Sequence, residues 1–231
     1  MLTRWFKYNF LTLLLLLSTF GYFGVQIYKD QMAPDEKVEY FLKNTKIFQQ
    51  RQLKDLPETA IPFYGDSLVQ GLAVSRVNSS LINFGIGHDH SSNLLSRIRE
   101  DLRQQQFSKY AVAIGINDIG RGVAVGDLYN NILEILELLS FADTIYLHTS
   151  LPVAESRDTA STINRKVRKI NLLLSELPKI HKNVVIIDAY KSLAVDGFLP
   201  ESFHIGDGLH LNSAANRKWL ELLSITANDR K

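Results

Sequence analysis

The stretch Ile61-Pro-Phe-Tyr-Gly-Asp-Ser-Leu-Val-Gln70 begins as a short apolar run and ends abruptly in Gly65-Asp66-Ser67. Such a run predicts a buried strand whose end lies at the rim of an open α/β sheet, where these folds place their chemistry. Ser67 is therefore a candidate nucleophile. The same residues are also typical of an ordinary strand-to-helix turn in which Asp66 or Ser67 caps the helix. The stretch alone leaves both interpretations open.

A second stretch, Gly206-Asp-Gly-Leu-His-Leu-Asn212, favours the catalytic interpretation. A serine hydroxyl is a weak nucleophile at neutral pH and needs a base, and the base needs an acceptor that sets its tautomer. Because only two residues separate Asp207 from His210, both side chains can lie on one side of a single turn. The sequence thus predicts a triad of Ser67, His210 and Asp207, with His204 as the alternative base.

Around these stretches, short apolar runs alternate with helical patterns. The strand-like runs are rich in β-branched and aromatic residues and cover 61–64, 81–84, 110–114, 144–148 and 184–188. Apolar residues recur at helical spacing in 68–77, 91–105, 127–139, 161–177 and 214–225. Regular alternation of strand and helix predicts a parallel sheet covered on both faces. We therefore expect a three-layer α/β/α, doubly wound domain of five strands in the order 2-1-3-4-5.

The ends of the first three predicted strands carry residues that suit acyl transfer. They are Gly65-Asp66-Ser67, Gly85-Ile-Gly-His-Asp-His90 and Gly115-Ile-Asn-Asp118. Attack on an ester carbonyl develops negative charge on its oxygen, and positioned N–H donors stabilise that charge. We expect the oxyanion hole to consist of the Ser67 N–H, the Asn117 amide and a backbone N–H of the 85–88 turn, from Gly87 or His88.

Other polar side chains at this rim are candidates for substrate contacts: His90, Asp118, Arg121 and His148. Arg121 suits an anionic group on the substrate, whereas Asp118 is equally suited to stabilising its own loop. Adjacent residues on one turn rarely converge on a single ion. The His88-Asp89-His90 run therefore predicts a polar cleft wall rather than a metal site, and we expect neither a metal nor a cofactor.

Taken together, these motifs resemble those of the SGNH, or GDSL-type, hydrolase superfamily. The four blocks of that superfamily match, in order, Gly65-Asp66-Ser67, Gly85 with Gly87, Gly115-Ile-Asn117-Asp118 and Asp207-Gly-Leu-His210. The resemblance covers about residues 60 to 226.

The resemblance implies a flavodoxin-like sheet and an esterase or related acyl-transfer activity. It implies Ser67 as nucleophile, His210 as base, Asp207 as the residue that orients the base, and Asn117 in the oxyanion hole. The sequence departs from the family in the second block, where His88 stands at the position of the glycine expected to donate its N–H.

The first thirty residues carry a different signal. Residues 8–28 are uncharged and rich in leucine and phenylalanine. About twenty such residues form roughly 30 Å of helix, the thickness of a bilayer core. The run ends without a small-residue cleavage site. We expect residues 1–29 to be a cytoplasmic tip and an uncleaved transmembrane signal anchor, with a cleaved signal or a soluble core helix as the alternatives.

On this interpretation the chain is a single-pass membrane protein. Residues 30–58 form a juxtamembrane stalk, and residues 59–231 form the hydrolase-like domain outside the cytoplasm, in the periplasm or the extracellular space. The 231 residues, 45% of them hydrophobic, leave room for one sizeable core. The net charge of +2 and the scattered basic residues do not favour nucleic acid as a partner. The absence of cysteine excludes a thiol nucleophile and a disulfide framework.

The expected function is hydrolysis of a carboxylic ester through a Ser-His-Asp triad and an acyl-enzyme. A membrane-tethered domain suggests an O-acetyl ester of a cell-envelope glycan or a lipid ester as the substrate. Because the candidate cleft residues are polar, we favour the glycan. An O-acetyltransferase with the same triad and a non-catalytic glycan-binding protein of the same fold are the alternatives, and nothing in the sequence specifies an oligomeric state.

Overall fold

The computed structural model describes the backbone of residues 17–19, 21–23 and 34–228. The first two segments are helical. Most of the expected signal anchor, residues 1–29, lies outside the described residues. Among the helices in the described ranges, none combines the length and the apolar character needed to cross a membrane.

The chain divides into two units, at residues 1–44 and 45–231. The second unit therefore begins earlier than residue 59, the start that the sequence predicts. Helix α1 (Pro34–Leu53) ends inside this unit, where Leu53 is fully buried and Gln49 is only 7% exposed. The Gln49 side chain donates a hydrogen bond to the Gly85 carbonyl at 3.1 Å. The sequence places Gln49 in the predicted stalk, whereas in the structure its side-chain amide is satisfied by backbone within the second unit.

Five parallel strands form one sheet in the order β2-β1-β3-β4-β5, as predicted. The strands are β1 Ile61–Gly65, β2 Leu81–Gly85, β3 Lys109–Ala113, β4 Thr144–His148 and β5 Val184–Ile187. Since every pairing is parallel, all the carboxyl ends reach the same rim. At that rim Gly65 pairs with both Gly85 and Ala113.

Helices cover both faces of the sheet, which confirms the predicted three-layer α/β/α architecture. They are α2 Ser67–Gln70, α3 Ser91–Asp101, α4 Ile116–Gly120, α5 Val125–Leu138, α6 Ala160–Glu176, α7 Ala189–Leu193 and α8 Ser213–Asn228. Short 3-10 helices occupy Val74–Arg76, Leu177–Lys179 and Glu201–Phe203. Helices α3, α5 and α6 pack side by side in one layer, and α7 packs with α8 in the other.

The helix predicted at 68–77 is shorter than expected. Helix α2 ends at Gln70, because the side-chain amide of Asn83 on β2 donates to the carbonyls of Val69 and Leu72 at 2.7 and 2.8 Å. Those carbonyls would otherwise accept bonds from the next turn of the helix. The early end of α2 keeps Ser67 on a single turn directly above the sheet.

Candidate active site

The three residues of the predicted triad form one hydrogen-bonded chain. The Ser67 Oγ lies 2.9 Å from His210 Nε2, although the two residues are 143 positions apart in the sequence. On the other side of the ring, His210 Nδ1 lies 2.5 Å from Asp207 Oδ2. This geometry allows the imidazole to accept the serine proton while the carboxylate holds the second ring nitrogen.

Ser67 owes its position to glycines at two strand ends. A Cβ atom on Gly65 would lie 2.3 Å from Val69 Cγ2 and 2.5 Å from the Ala113 carbonyl oxygen. One on Gly85 would lie 2.2 Å from the Gln70 nitrogen. Any side chain at either position would therefore push α2 away from the sheet.

Asp66 caps α2, and Ser67 is the first helical residue. The Asp66 Oδ1 accepts a hydrogen bond from the Leu68 N–H at 2.9 Å. The structure thus reconciles the two interpretations of the Gly-Asp-Ser stretch. Asp66 makes the ordinary helix cap, and the cap points the Ser67 hydroxyl at His210.

The carboxylate of Asp207 is held by its own loop. Partial burial alone would raise its pKa, but this effect is outweighed by three hydrogen bonds. The donors are the His210 ring and the backbone N–H groups of Leu209 and His210, which lie 3.0 and 2.9 Å from Oδ1. Together they lower the pKa of Asp207 to about 2, so the carboxylate is ionised at neutral pH.

His204 supports this loop through hydrogen bonds to its backbone. Its Nδ1 accepts hydrogen bonds from the N–H groups of Gly206 and Gly208, each at 3.0 Å. Its Nε2 lies 2.9 Å from a carboxylate oxygen of Glu201. Both ring nitrogens are engaged, which leaves His210 as the imidazole beside the serine. The sequence offered no signal that His204 supports the triad loop, since spacing alone does not show which backbone groups a histidine ring will contact.

The structure distinguishes between the two candidate donors of the 85–88 turn. The Gly87 N–H donates to the Gln70 side chain at 2.9 Å, so the prediction of Gly87 as an oxyanion donor is corrected. His88 adopts a left-handed conformation with φ 64, and within the described residues its N–H has no hydrogen-bond partner. Asn117 donates one amide hydrogen to the Asp89 carbonyl at 2.9 Å, and the other has no acceptor among the residues that the structure describes.

Two of the predicted substrate contacts are wrong, because both side chains are buried away from the cleft. Asp118 is 2% exposed and accepts hydrogen bonds from the N–H and the hydroxyl of Ser91, which tie its loop to the start of α3. His148 is 1% exposed; it stacks on Phe63 and accepts a hydrogen bond from Trp219 Nε1 at 2.9 Å. Burial lowers the pKa of His148 to about 3, so this ring is neutral in the core.

The other two predicted contacts remain accessible. His90 is half-buried at the start of α3, with Nδ1 3.0 Å from the Ser92 hydroxyl. Arg121 is exposed at the end of α4, and its guanidinium donates to the His88 carbonyl at 3.1 Å. Arg121 therefore lies near the 85–88 turn, as a substrate contact would require.

Burial of Asp66 gives a testable pH dependence of stability. Burial is the main cause that raises its pKa, to about 7, and the nearby carboxylates of Asp89 and Asp118 add to it. An unfolded aspartate has a pKa of about 3.9. Between those two values the folded state binds the additional proton, so this residue contributes less stability as the pH rises from about 4 to 7.

We expect Asp66→Asn to be more stable than the wild type at pH 8, by roughly 2–4 kcal/mol, and nearly equally stable near pH 4. Asparagine preserves the cap to Leu68 and removes the cost of a buried charge. Urea unfolding of both proteins at the two pH values measures the difference. If the stability difference between the variant and the wild type is no larger at pH 8 than at pH 4, the raised pKa of Asp66 is wrong.

Comparisons with known proteins agree with this fold and its motifs. Residues 59–218 match the sequence profile of the GDSL-like Lipase/Acylhydrolase family. A protein from Streptococcus pneumonia, provisionally described as a platelet activating factor, is 25% identical with a TM-score of 0.72, over 85% of this chain and 98% of that one.

Two further solved structures share the fold at lower identity. The lipase/acylhydrolase from Enterococcus faecalis has a TM-score of 0.60 at 21% identity, over 74% of this chain and 96% of that one. An acetylxylan esterase from Geobacillus stearothermophilus has a TM-score of 0.61 at 16% identity, over 73% of this chain and 94% of that one.

Among curated proteins, the N-acylneuraminate cytidylyltransferase of Streptococcus agalactiae is 29% identical over 106 residues. The match covers 46% of this chain but only 24% of that protein. The chain therefore corresponds to about a quarter of the length of this relative.

Proposed function

We propose that this chain, which belongs to the GDSL-like lipase/acylhydrolase family, is a serine esterase that hydrolyses ester bonds and removes O-acetyl groups from a glycan. The observation that carries the proposal is the chain of hydrogen bonds from the Ser67 hydroxyl through His210 to Asp207. Its components have the roles that acyl transfer needs: a nucleophile, a base and an anion that orients the base.

In the first half of the reaction, Ser67 Oγ attacks the ester carbonyl and His210 Nε2 takes the serine proton. The Asp207 carboxylate stabilises the imidazolium that forms. The N–H groups of Ser67 and His88 and the Asn117 amide bind the oxyanion. His210 then gives its proton to the departing alcohol, which leaves an acyl group on Ser67.

In the second half, water replaces the alcohol. His210 accepts a proton from the water as its oxygen attacks the acyl-enzyme, and the proton returns to Ser67 when the acid leaves. The same oxyanion donors serve both steps. Asp207 supports the cycle over a wide pH range, because its pKa of about 2 keeps it ionised.

A short acyl group on a sugar fits the site better than a long lipid chain. The cavity that adjoins Asn117 measures about 190 Å³ and has polar as well as apolar walls. The names of two similar proteins, an acetylxylan esterase and an N-acylneuraminate cytidylyltransferase, also refer to acylated sugars. To test the proposal, the full chain is assayed for turnover of p-nitrophenyl acetate and of O-acetylated glycans. We expect both activities to be lost in Ser67→Ala.

We also propose that residues 1–29 anchor the enzyme in a membrane with the catalytic unit outside the cytoplasm. The support is the uncharged run at residues 8–28, preceded by Arg4 and Lys7. Alkaline phosphatase fused after residue 40 should be active in a bacterial host. If a cytoplasmic reporter fused after residue 40 is active and alkaline phosphatase is not, the proposed orientation is wrong.

A further inference from the structure

Two arginines line the cavity of about 190 Å³ beside the proposed oxyanion hole. Arg121 and Arg157 share its wall with Asn117 and Leu209. Asn117 is a proposed oxyanion donor, and Leu209 directly precedes His210 in the sequence. The cavity therefore adjoins the place where an ester would react, and part of a bound substrate can occupy it.

Neither arginine is neutralised by a carboxylate within the part of the chain that the structure describes. Arg121 Nη2 donates to the His88 carbonyl at 3.1 Å, and Arg157 Nη1 donates to the Asp207 carbonyl at 2.7 Å. By contrast, Arg97 and Arg99 on α3 each pair with a carboxylate. A guanidinium carries five N–H donors, so most donors of Arg121 and Arg157 remain available to a ligand.

Both guanidinium groups are positioned by the segments that carry the proposed triad and oxyanion hole. The stem of Arg157 packs against Gly208, where an added Cβ would lie 2.5 Å from Arg157 Cγ. Arg121 follows α4, the helix that carries Asn117. Side chains that are already ordered lose less entropy when a ligand binds. The two positive groups are thus prearranged next to the reacting bond.

We propose that the natural substrate carries an anionic group, a carboxylate or a phosphate, that Arg121 and Arg157 bind while the ester lies at Ser67. This inference rests on the proposed esterase function and narrows its substrate to the O-acetyl ester of an acidic sugar. Guanidinium groups match the planar oxygens of carboxylates and phosphates with paired hydrogen bonds. A neutral sugar would leave both positive charges without a partner.

The test compares substrates with and without an anionic group. One pair is an O-acetylated methyl glucuronoside and its primary amide, and the other is O-acetylated glucose 6-phosphate and O-acetylated glucose. We expect kcat/KM to be about tenfold higher for the anionic member of at least one pair. The pair with the larger ratio identifies carboxylate or phosphate as the preferred group. Added salt should reduce that ratio.

Variants locate the preference on the two arginines. Arg121→Gln and Arg157→Gln should each bring the anion-to-neutral ratio of kcat/KM close to one. Arg165→Gln is the matched control, because Arg165 is exposed on α6 and does not line the cavity. It removes the same charge and should preserve the ratio. Arg157 also bonds the triad loop, so the ratio, and not the rate on one substrate, is the informative quantity.

The outcomes separate this inference from the proposed function. Equal kcat/KM within both pairs, in an enzyme that depends on Ser67, would overturn the anionic substrate and leave the esterase intact. Absence of all ester turnover would instead overturn the proposed function. In that case, calorimetric titration of Ser67→Ala with the same acetylated compounds still tests the anion site. Tighter binding of the anionic compounds, lost when Arg121→Gln is added, supports the anion site. Equal affinity for the anionic and neutral compounds, or no binding, overturns it.

Discussion

Replacing Ser67 by alanine is expected to reduce kcat/KM for p-nitrophenyl acetate by about 10⁴-fold or more. The variant retains the fold but lacks the oxygen that would attack the carbonyl. His210→Ala should cost a similar factor, because a serine without its base is a poor nucleophile at neutral pH. Since the residues act as a unit, the double variant should be hardly slower than either single one.

Two controls connect the loss to chemistry. Ser96→Ala removes an exposed serine hydroxyl on α3 and should keep wild-type turnover. A fluorophosphonate should label the wild type at Ser67 only, and mass spectrometry of the modified peptide identifies the site. Near-wild-type hydrolysis by Ser67→Ala would contradict the assignment. Transfer of the acetyl group to an added glycan, rather than to water, would make the protein an acetyltransferase with the same nucleophile.

The strand order and the contact between Asp207 and His210 were predictable because both depend on local patterns. Alternating strand and helix segments nearly determine a right-handed, doubly wound parallel sheet. Such a sheet gathers the ends of its strands at one rim, so Ser67 and Asn117 had to be neighbours. The contact between Asp207 and His210 follows from their spacing. Only the approach of the last loop to Ser67 needed long-range folding.

The errors concern polar residues whose partners lie far away in the sequence. His148 stands at a strand end, where a side chain can face either the cleft or the core. Its partner Trp219 is 71 positions away, and no local pattern indicates their hydrogen bond. In the same way, the Gly87 N–H, which the sequence predicts as a candidate oxyanion donor, instead donates a hydrogen bond to the side chain of Gln70.

Residues that support the site were missed for a related reason. Gln49 in α1 accepts a hydrogen bond from Arg97 at 2.9 Å across 48 positions. Arg157, in the loop after β4, donates to the Asp207 carbonyl of the triad loop across 50 positions. A charged or polar residue in a helix or loop is usually solvated, so composition gives no reason to expect these contacts.

Arg97→Met is expected to lower the free energy of unfolding by about 3–5 kcal/mol. The side chain of Arg97 is 4% exposed, and its Nη2 lies 2.8 Å from Asp89 Oδ2, whose side chain is 3% exposed. Its Nη1 donates to the Phe84 carbonyl and to Gln49, at 2.8 and 2.9 Å. Methionine fills much of the volume but leaves the Asp89 carboxylate and these acceptors without their donor.

Two further measurements show whether the loss comes from the buried charge. Burial raises the pKa of Asp89 while Arg97 lowers it, so in Arg97→Met the carboxyl should take up a proton more readily and the loss of stability should shrink at acidic pH. Adding Asp89→Asn should recover part of the loss, because the uncompensated charge is then removed.

Arg99→Met is the matched control for this pair, because Arg99 lies on the same helix in an ion pair with Glu134 whose side chains are 48% and 60% exposed. It should cost less than about 1 kcal/mol, since solvent screens an exposed pair. Equal losses for the two arginines in urea unfolding would mean that helix propensity, and not the buried pair, accounts for the effect. A loss confined to Arg97 would instead identify the buried pair that joins α3 to the turn carrying His88 as a main source of the domain's stability.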